Sequence, residues 1–128
     1  MSLSHIQQVT YTRGNTTITD RQTITSGGAV VIDEAVATPS TDLQIACDVD
    51  VSQMKSCIMQ CDQDVTVETN SGSSADVTFA LKAGAPYIWS TDACFTNKFA
   101  TDLTDLFITN ASGTAATFKA VFLFDPTV

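Results

Sequence analysis

Apolar and polar residues alternate along most of this chain with period two. That alternation decides what the chain can fold into. Successive side chains of a strand point to opposite faces, so period two builds half-buried strands where period 3.6 would build helices. Leu43, Ile45, Cys47 and Val49 alternate with Gln44, Ala46, Asp48 and Asp50; Val77, Phe79 and Leu81 alternate with Thr78, Ala80 and Lys82. Turn-forming clusters separate such runs at Gly14-Asn15, Ser26-Gly27-Gly28, Ala83-Gly84-Ala85-Pro86 and Asn110 to Thr114. Gly and Asn tolerate positive φ, and Asp and Ser bond back to the turn backbone. The pattern predicts an all-β fold, a single-domain β-sandwich over residues 1–128, jelly-roll-like, with about eight to ten short strands.

The strands differ in character. Ile6 to Arg13, with Ile6, Val9 and Tyr11 as its apolar content, and Thr16 to Thr25 are rich in Thr, Gln and Arg, the composition of an exposed face or an edge. Residues 1–11 are an N-terminal arm in this reading, able to add to a partner's sheet edge by strand pairing. Met54 to Cys61 carries apolar residues on both parities and is expected in the middle of a sheet. Ala115 to Phe124 does the same, with Phe118, Ala120, Phe122 and Phe124 on one face and Val121 and Leu123 on the other. It is either central or covered by a neighbouring subunit. Residues 91–101 show no period but hold Phe95 and Phe99 just after Trp89. Those aromatics fit core packing under an irregular loop, with an interface anchor as the alternative. The candidate interface set is therefore Ile6, Val9, Tyr11, Trp89, Phe95, Phe99, Phe122 and Phe124.

Charge excludes some partners. Fourteen acidic residues against six scattered basic ones give a net charge of −8. That field repels nucleic acid and anionic membrane surfaces, so neither is an expected partner. No apolar run reaches the ~18–20 residues of a membrane helix, and Met1 to Gln8 lacks the basic start and apolar core of a signal peptide. The expectation is a chain made in a cytoplasm and soluble there.

The residues offer little to chemistry. His5 is the one histidine, in a terminal segment, whereas a nucleophilic site needs a base held beside its nucleophile. No Gly-x-Ser-x-Gly elbow and no phosphate-binding glycine loop occurs. Cys47, Cys57, Cys61 and Cys94 lack paired zinc spacings, and without a secretory signal they read as buried thiols. Asp48, Asp50, Asp62, Asp64 and Glu68 allow paired acids by count, but Asp is ordinary in turns. Asp48-Val49-Asp50 and Asp62-Gln63-Asp64 leave calcium open on ligand type alone, since the full loop motif is missing. No enzyme activity and no cofactor is expected.

The stretch from Asp62-Gln63-Asp64-Val65-Thr66-Val67-Glu68-Thr69-Asn70 through Ala83-Gly84-Ala85-Pro86 and Trp89 to Ile108-Thr109-Asn110-Ala111-Ser112-Gly113-Thr114-Ala115-Ala116 resembles the capsid decoration, or cement, proteins of tailed bacteriophages. The resemblance covers about the last half of the chain in phrasing, and the whole in size and β pattern. It implies a β-sandwich, often trimeric, bound outside the shell at threefold or quasi-threefold positions and bracing it. The implied partners are the major capsid protein and two further copies of the chain, and the implied location is the capsid surface of a virion. A carbohydrate-binding or adhesin-like module of a phage fibre or tail is the alternative, and a small hydrolase using paired acids a third reading.

Overall fold

The computed structural model describes residues 3–125. Among these described residues ten strands form three antiparallel sheets. The first sheet is a hairpin by itself, β1 (Leu3–Arg13) with β2 (Thr16–Ser26). The others have four strands each: β3 (Gly28–Val36), β10 (Ala116–Phe124), β5 (Met54–Cys61) and β8 (Tyr87–Ser90) in one, and β4 (Ser40–Val49), β9 (Leu103–Asn110), β6 (Val65–Thr69) and β7 (Thr78–Leu81) in the other, side by side in those orders.

The pairing is nested. Strand β3 pairs with β10, β4 with β9, β5 with β8 and β6 with β7. An antiparallel ribbon has been rolled up, and β10–β5 and β9–β6 pairing closes the roll. Eight strands in that order are a jelly roll. The domain is the expected β-sandwich. Met54–Cys61 and Ala116–Phe124 both lie in the interior of their sheet, which explains why each is apolar on both parities.

The core lies between the two four-stranded sheets. Ile32, Val36, Cys57, Met59, Cys61, Phe118, Ala120 and Phe122 come from one, and Ile45, Val49, Val65, Val67, Leu106 and Ile108 from the other. Asn110 is buried among them with all of its amide satisfied. Its Nδ2 donates to the carbonyls of Val36 (3.2 Å) and Thr114 (2.9 Å), and its Oδ1 accepts from the Ser112 backbone N–H (3.1 Å) and hydroxyl (2.7 Å). This fixes the β9–β10 turn against the end of β3.

Residues 37–39 alone link β3, which runs to Val36, to β4, which starts at Ser40. Residues 1–2 of the predicted arm lie outside the described residues, and residues 3–11 belong to the first strand of a hairpin that runs over 3–26. Its two-residue turn has positive φ (56°) at Gly14, a conformation that other residues adopt only with strain.

Candidate interaction surfaces

The hairpin leaves the sandwich along a path that the hydrogen bonds define. At its base the Ser26 hydroxyl donates to the Gly28 carbonyl (2.9 Å) and the Gly27 N–H donates to Asp125 (3.1 Å), beside the start of β3. A Cβ at Gly28 would stand 3.0 Å from the Phe124 ring, so that ring would have to shift to admit a side chain there. Four residues back, Gln22 accepts a hydrogen bond from the Ser90 hydroxyl (2.7 Å) at the end of β8, the opposite edge of the same sheet. Four strand residues span ~13 Å, and three inter-strand spacings ~14 Å. The hairpin therefore crosses the outer face of the sheet from β3 to β8. Beyond Gln22 its tip overhangs the β8 edge by ~7 residues, or ~23 Å.

Register assigns its two faces. His5, Gln7, Val9, Tyr11 and Arg13 pair with Ile24, Gln22, Asp20, Ile18 and Thr16 on one side; Ser4, Ile6, Gln8, Thr10 and Thr12 pair with Thr25, Thr23, Arg21, Thr19 and Thr17 on the other. The first side faces the sheet at the base, where His5, Gln7, Gln22 and Ile24 are half-buried. Over the edge it carries Val9, Tyr11 and Ile18 in the open, the last two 66% exposed each. Ile6 is exposed on the opposite side, so the predicted trio Ile6, Val9 and Tyr11 is split between faces.

The sheet beneath carries an apolar row absent from the candidate set. Val31 is opposite Val121, Val121 opposite Ile58, and Ile58 opposite Ile88, one residue from each strand on the outer face. The hairpin base shelters the β8 end, leaving a cleft of about 230 Å³ lined by His5, Ile24, Ile58, Ile88, Val121 and Leu123. The β3 end is open: Val31 is 69% exposed.

The predicted aromatics separate by depth. Phe99 (1% exposed) and Phe122 (0%) are core residues with no surface for a partner. Phe99 reaches in from the β8–β9 loop and meets Tyr87, Phe79 and Phe122 edge-on, with centroids 5.6, 6.0 and 6.4 Å away. Phe122 points inward because it shares the core-facing parity of β10 with Phe118 and Ala120. Phe124 is half-buried at the arm's root. Trp89 is half-buried too, and its indole N–H donates to the Phe95 carbonyl (3.2 Å). Only Phe95 of the loop aromatics is exposed, beside an open hollow of about 340 Å³ that Trp89, Asn97 and Phe99 also line. The Tyr87 hydroxyl pins this loop, donating to Asn97 (2.8 Å) and accepting from the Lys98 N–H (2.9 Å). Burial, the largest cause, pushes the Tyr87 pKa up.

Asp50, Asp62 and Asp64 serve the backbone. Asp50 accepts from the Ser52 N–H (3.0 Å) and hydroxyl (2.6 Å), and hydrogen bonding to Ser52 lowers its pKa. Asp62 accepts from the Thr117 N–H and Asp64 from the Ala83 N–H, each at 2.8 Å. Among the described residues no three His, Cys, Asp or Glu side chains converge as a metal site. Glu68, on the outer face of the second sheet, has its pKa raised, first by a hydrogen bond with the Asp42 side chain. Burial raises the Cys57 thiol, and burial with the charges of Asp105 and Asp48 pushes Cys47 up to about 11. Cys94 is exposed. No helix among the described residues is long and apolar enough to cross a membrane.

Fold and surface together define a jelly-roll domain with a projecting hairpin arm. Comparison with protein-family models, curated proteins and solved structures finds no match to this chain.

Proposed function

We propose that the chain is a structural virion protein that seats on the outer capsid surface, binds the major capsid protein as a homotrimer and stabilises the shell as a decoration protein. The observation that carries this reading is the arm: an 11-residue strand paired with another of the same length, standing clear of the sandwich with Val9, Tyr11 and Ile18 uncovered. A two-stranded hairpin is marginal in water when nothing packs on it, so a ribbon that projects ~23 Å beyond its own sheet is suited to grip another molecule. The resemblance to decoration proteins supplies the identity of that molecule, and jelly rolls recur among capsid proteins. The role is mechanical. Bracing a shell asks for a rigid slab, as the two packed sheets provide, and for contacts spread over neighbouring subunits; it asks for no reactive group.

The test is binding to heads. Purified chain is mixed with DNA-filled heads of the parent phage from which it has been omitted. It is expected to co-sediment, to appear by cryo-electron microscopy at threefold or quasi-threefold positions, and to raise the temperature at which heads release DNA. A chain that stays in the supernatant at every ratio refutes the proposal.

A further inference from the structure

We infer that the arm of one copy docks on the outer sheet face of a second copy, over Val31, in a head-to-tail contact repeated around a ring. This deepens the trimeric part of the proposed function and rests on it for the ring alone.

Geometry sets the direction. Each copy's arm leaves over its β8 edge, and the open end of the apolar row lies at β3, the other edge of the same sheet. An arm cannot reach its own Val31, because its base already spends its length crossing toward β8. A neighbour placed with its β3 edge beside that β8 edge receives the overhang directly. The overhang of ~23 Å exceeds the ~14 Å width of the sheet it would cover. The side that faces the home sheet at His5 and Ile24 continues outward as Val9, Asp20, Tyr11, Ile18 and Arg13, so the same side of the ribbon is the one offered to the next copy.

Charge selects the partner. The arm carries Arg13 and Arg21 against Asp20, a surplus of +1, while the rest of the chain holds the other 13 acids and 4 bases and stands at −9. Two bodies repel each other, and an arm and a body attract. On the outer face Val31 stands next to the exposed Asp33, whose cross-strand partner is Lys119, and the docking face of the arm carries both Arg13 and Asp20, so each acid has a base to meet across the contact. A patch on the arm meeting a different patch on the body is heterologous; it closes into a ring when the rotation allows, and the trimer of the proposed function is such a ring.

The apolar residues concerned lie outside the core, so they can be changed without unfolding the sandwich. Sedimentation velocity of the native chain at micromolar concentration is expected to give a closed multiple of 13.6 kDa. The double variant Tyr11→Ser/Ile18→Ser, and separately Val31→Asp, are expected to weaken self-association at least tenfold per contact and leave circular dichroism unchanged. A photo-crosslinker in place of Tyr11, in a mixture of ¹⁴N- and ¹⁵N-labelled chains, should join the arm to β3 peptides of the other label. A monomeric native chain, an unchanged mass for both variants, or crosslinks confined to one label overturns the inference. A chain that is monomeric yet binds heads refutes the docking alone; a ring that ignores heads refutes the capsid role alone.

Discussion

Phe95 and Phe99 sit four residues apart in one loop, and truncating each should have opposite consequences. Phe99 is 1% exposed and Phe95 49%. Removing the Phe99 ring deprives Tyr87, Phe79 and Phe122 of an edge-on neighbour at 5.6–6.4 Å each. A buried Phe→Ala change costs about 3–5 kcal/mol, a large part of the ~5–15 kcal/mol that holds a domain together. The Phe95 side chain already meets water across about half its surface and keeps one aromatic contact, with Tyr87 at 6.3 Å. Its loss should cost about 1 kcal/mol or less, as surface changes usually do. Urea unfolding followed by Trp89 fluorescence measures both, because Trp89 is the sole tryptophan and lies under the same loop. At a slope of ~1–3 kcal/mol per M urea, Phe99→Ala should lower the midpoint by ~1–5 M and Phe95→Ala by less than ~1 M. Equal shifts for the two variants, or a Phe99→Ala shift within error of native, would refute the division of this loop into a core plug and a surface residue.

Asn110→Asp should cost about 3–5 kcal/mol at neutral pH, because a buried carboxylate then faces two carbonyls that lost their donor. Burial raises the folded pKa of that new acid, so the loss should shrink as pH falls toward the unfolded carboxyl range near ~3.9; a pH-independent loss in urea melts contradicts this. Glu68 titrates high in the folded chain because of Asp42. Its contribution to stability is therefore full in acid and is lost as pH rises through the folded pKa. Glu68→Gln should melt later than native at pH 7 and show no such gain at pH 4. A disulfide-exchange reagent at pH 8 should label Cys94 fast, Cys47 slowly because its thiol is pushed up to about 11, and Cys57 and Cys61 only after unfolding; labelling of Cys57 or Cys61 in the native chain as fast as Cys94 counts against their burial.

Much of the fold was legible because each strand declares its own faces. Leu43 to Val49 alternates cleanly since one side of β4 meets the core and the other water. Cys57/Ile58 and Val121/Phe122 show both parities apolar since their strands are interior. What one strand cannot declare is its neighbour. The row Val31–Val121–Ile58–Ile88 joins strands separated by up to 90 positions, and no local pattern announces that register. Its signal was present, in the outward apolar residue of each member strand, without the pairing to align it. The arm was legible as an exposed, Thr-rich edge but not as a free-standing hairpin, because period two looks the same with or without a third strand beside it. Phe99 and Phe95 were inseparable because an aperiodic loop carries no facing information. The loop's depth is set instead by Tyr87, Asn97 and Trp89, whose hydrogen bonds exist only after the chain has folded.

The nested pairing has a consequence for synthesis. Strands β9 and β10 occupy interior positions of both sheets, yet emerge from the ribosome after every strand they separate. Until then β3 and β5 have no neighbour between them, nor do β4 and β6. Most contacts join distant parts of the sequence, which slows folding and leaves half-made sheets open to wrong pairing. Translation delivers the outer walls first and the keystones last, so the nascent chain has a vulnerable interval that ends only when β10 slides home.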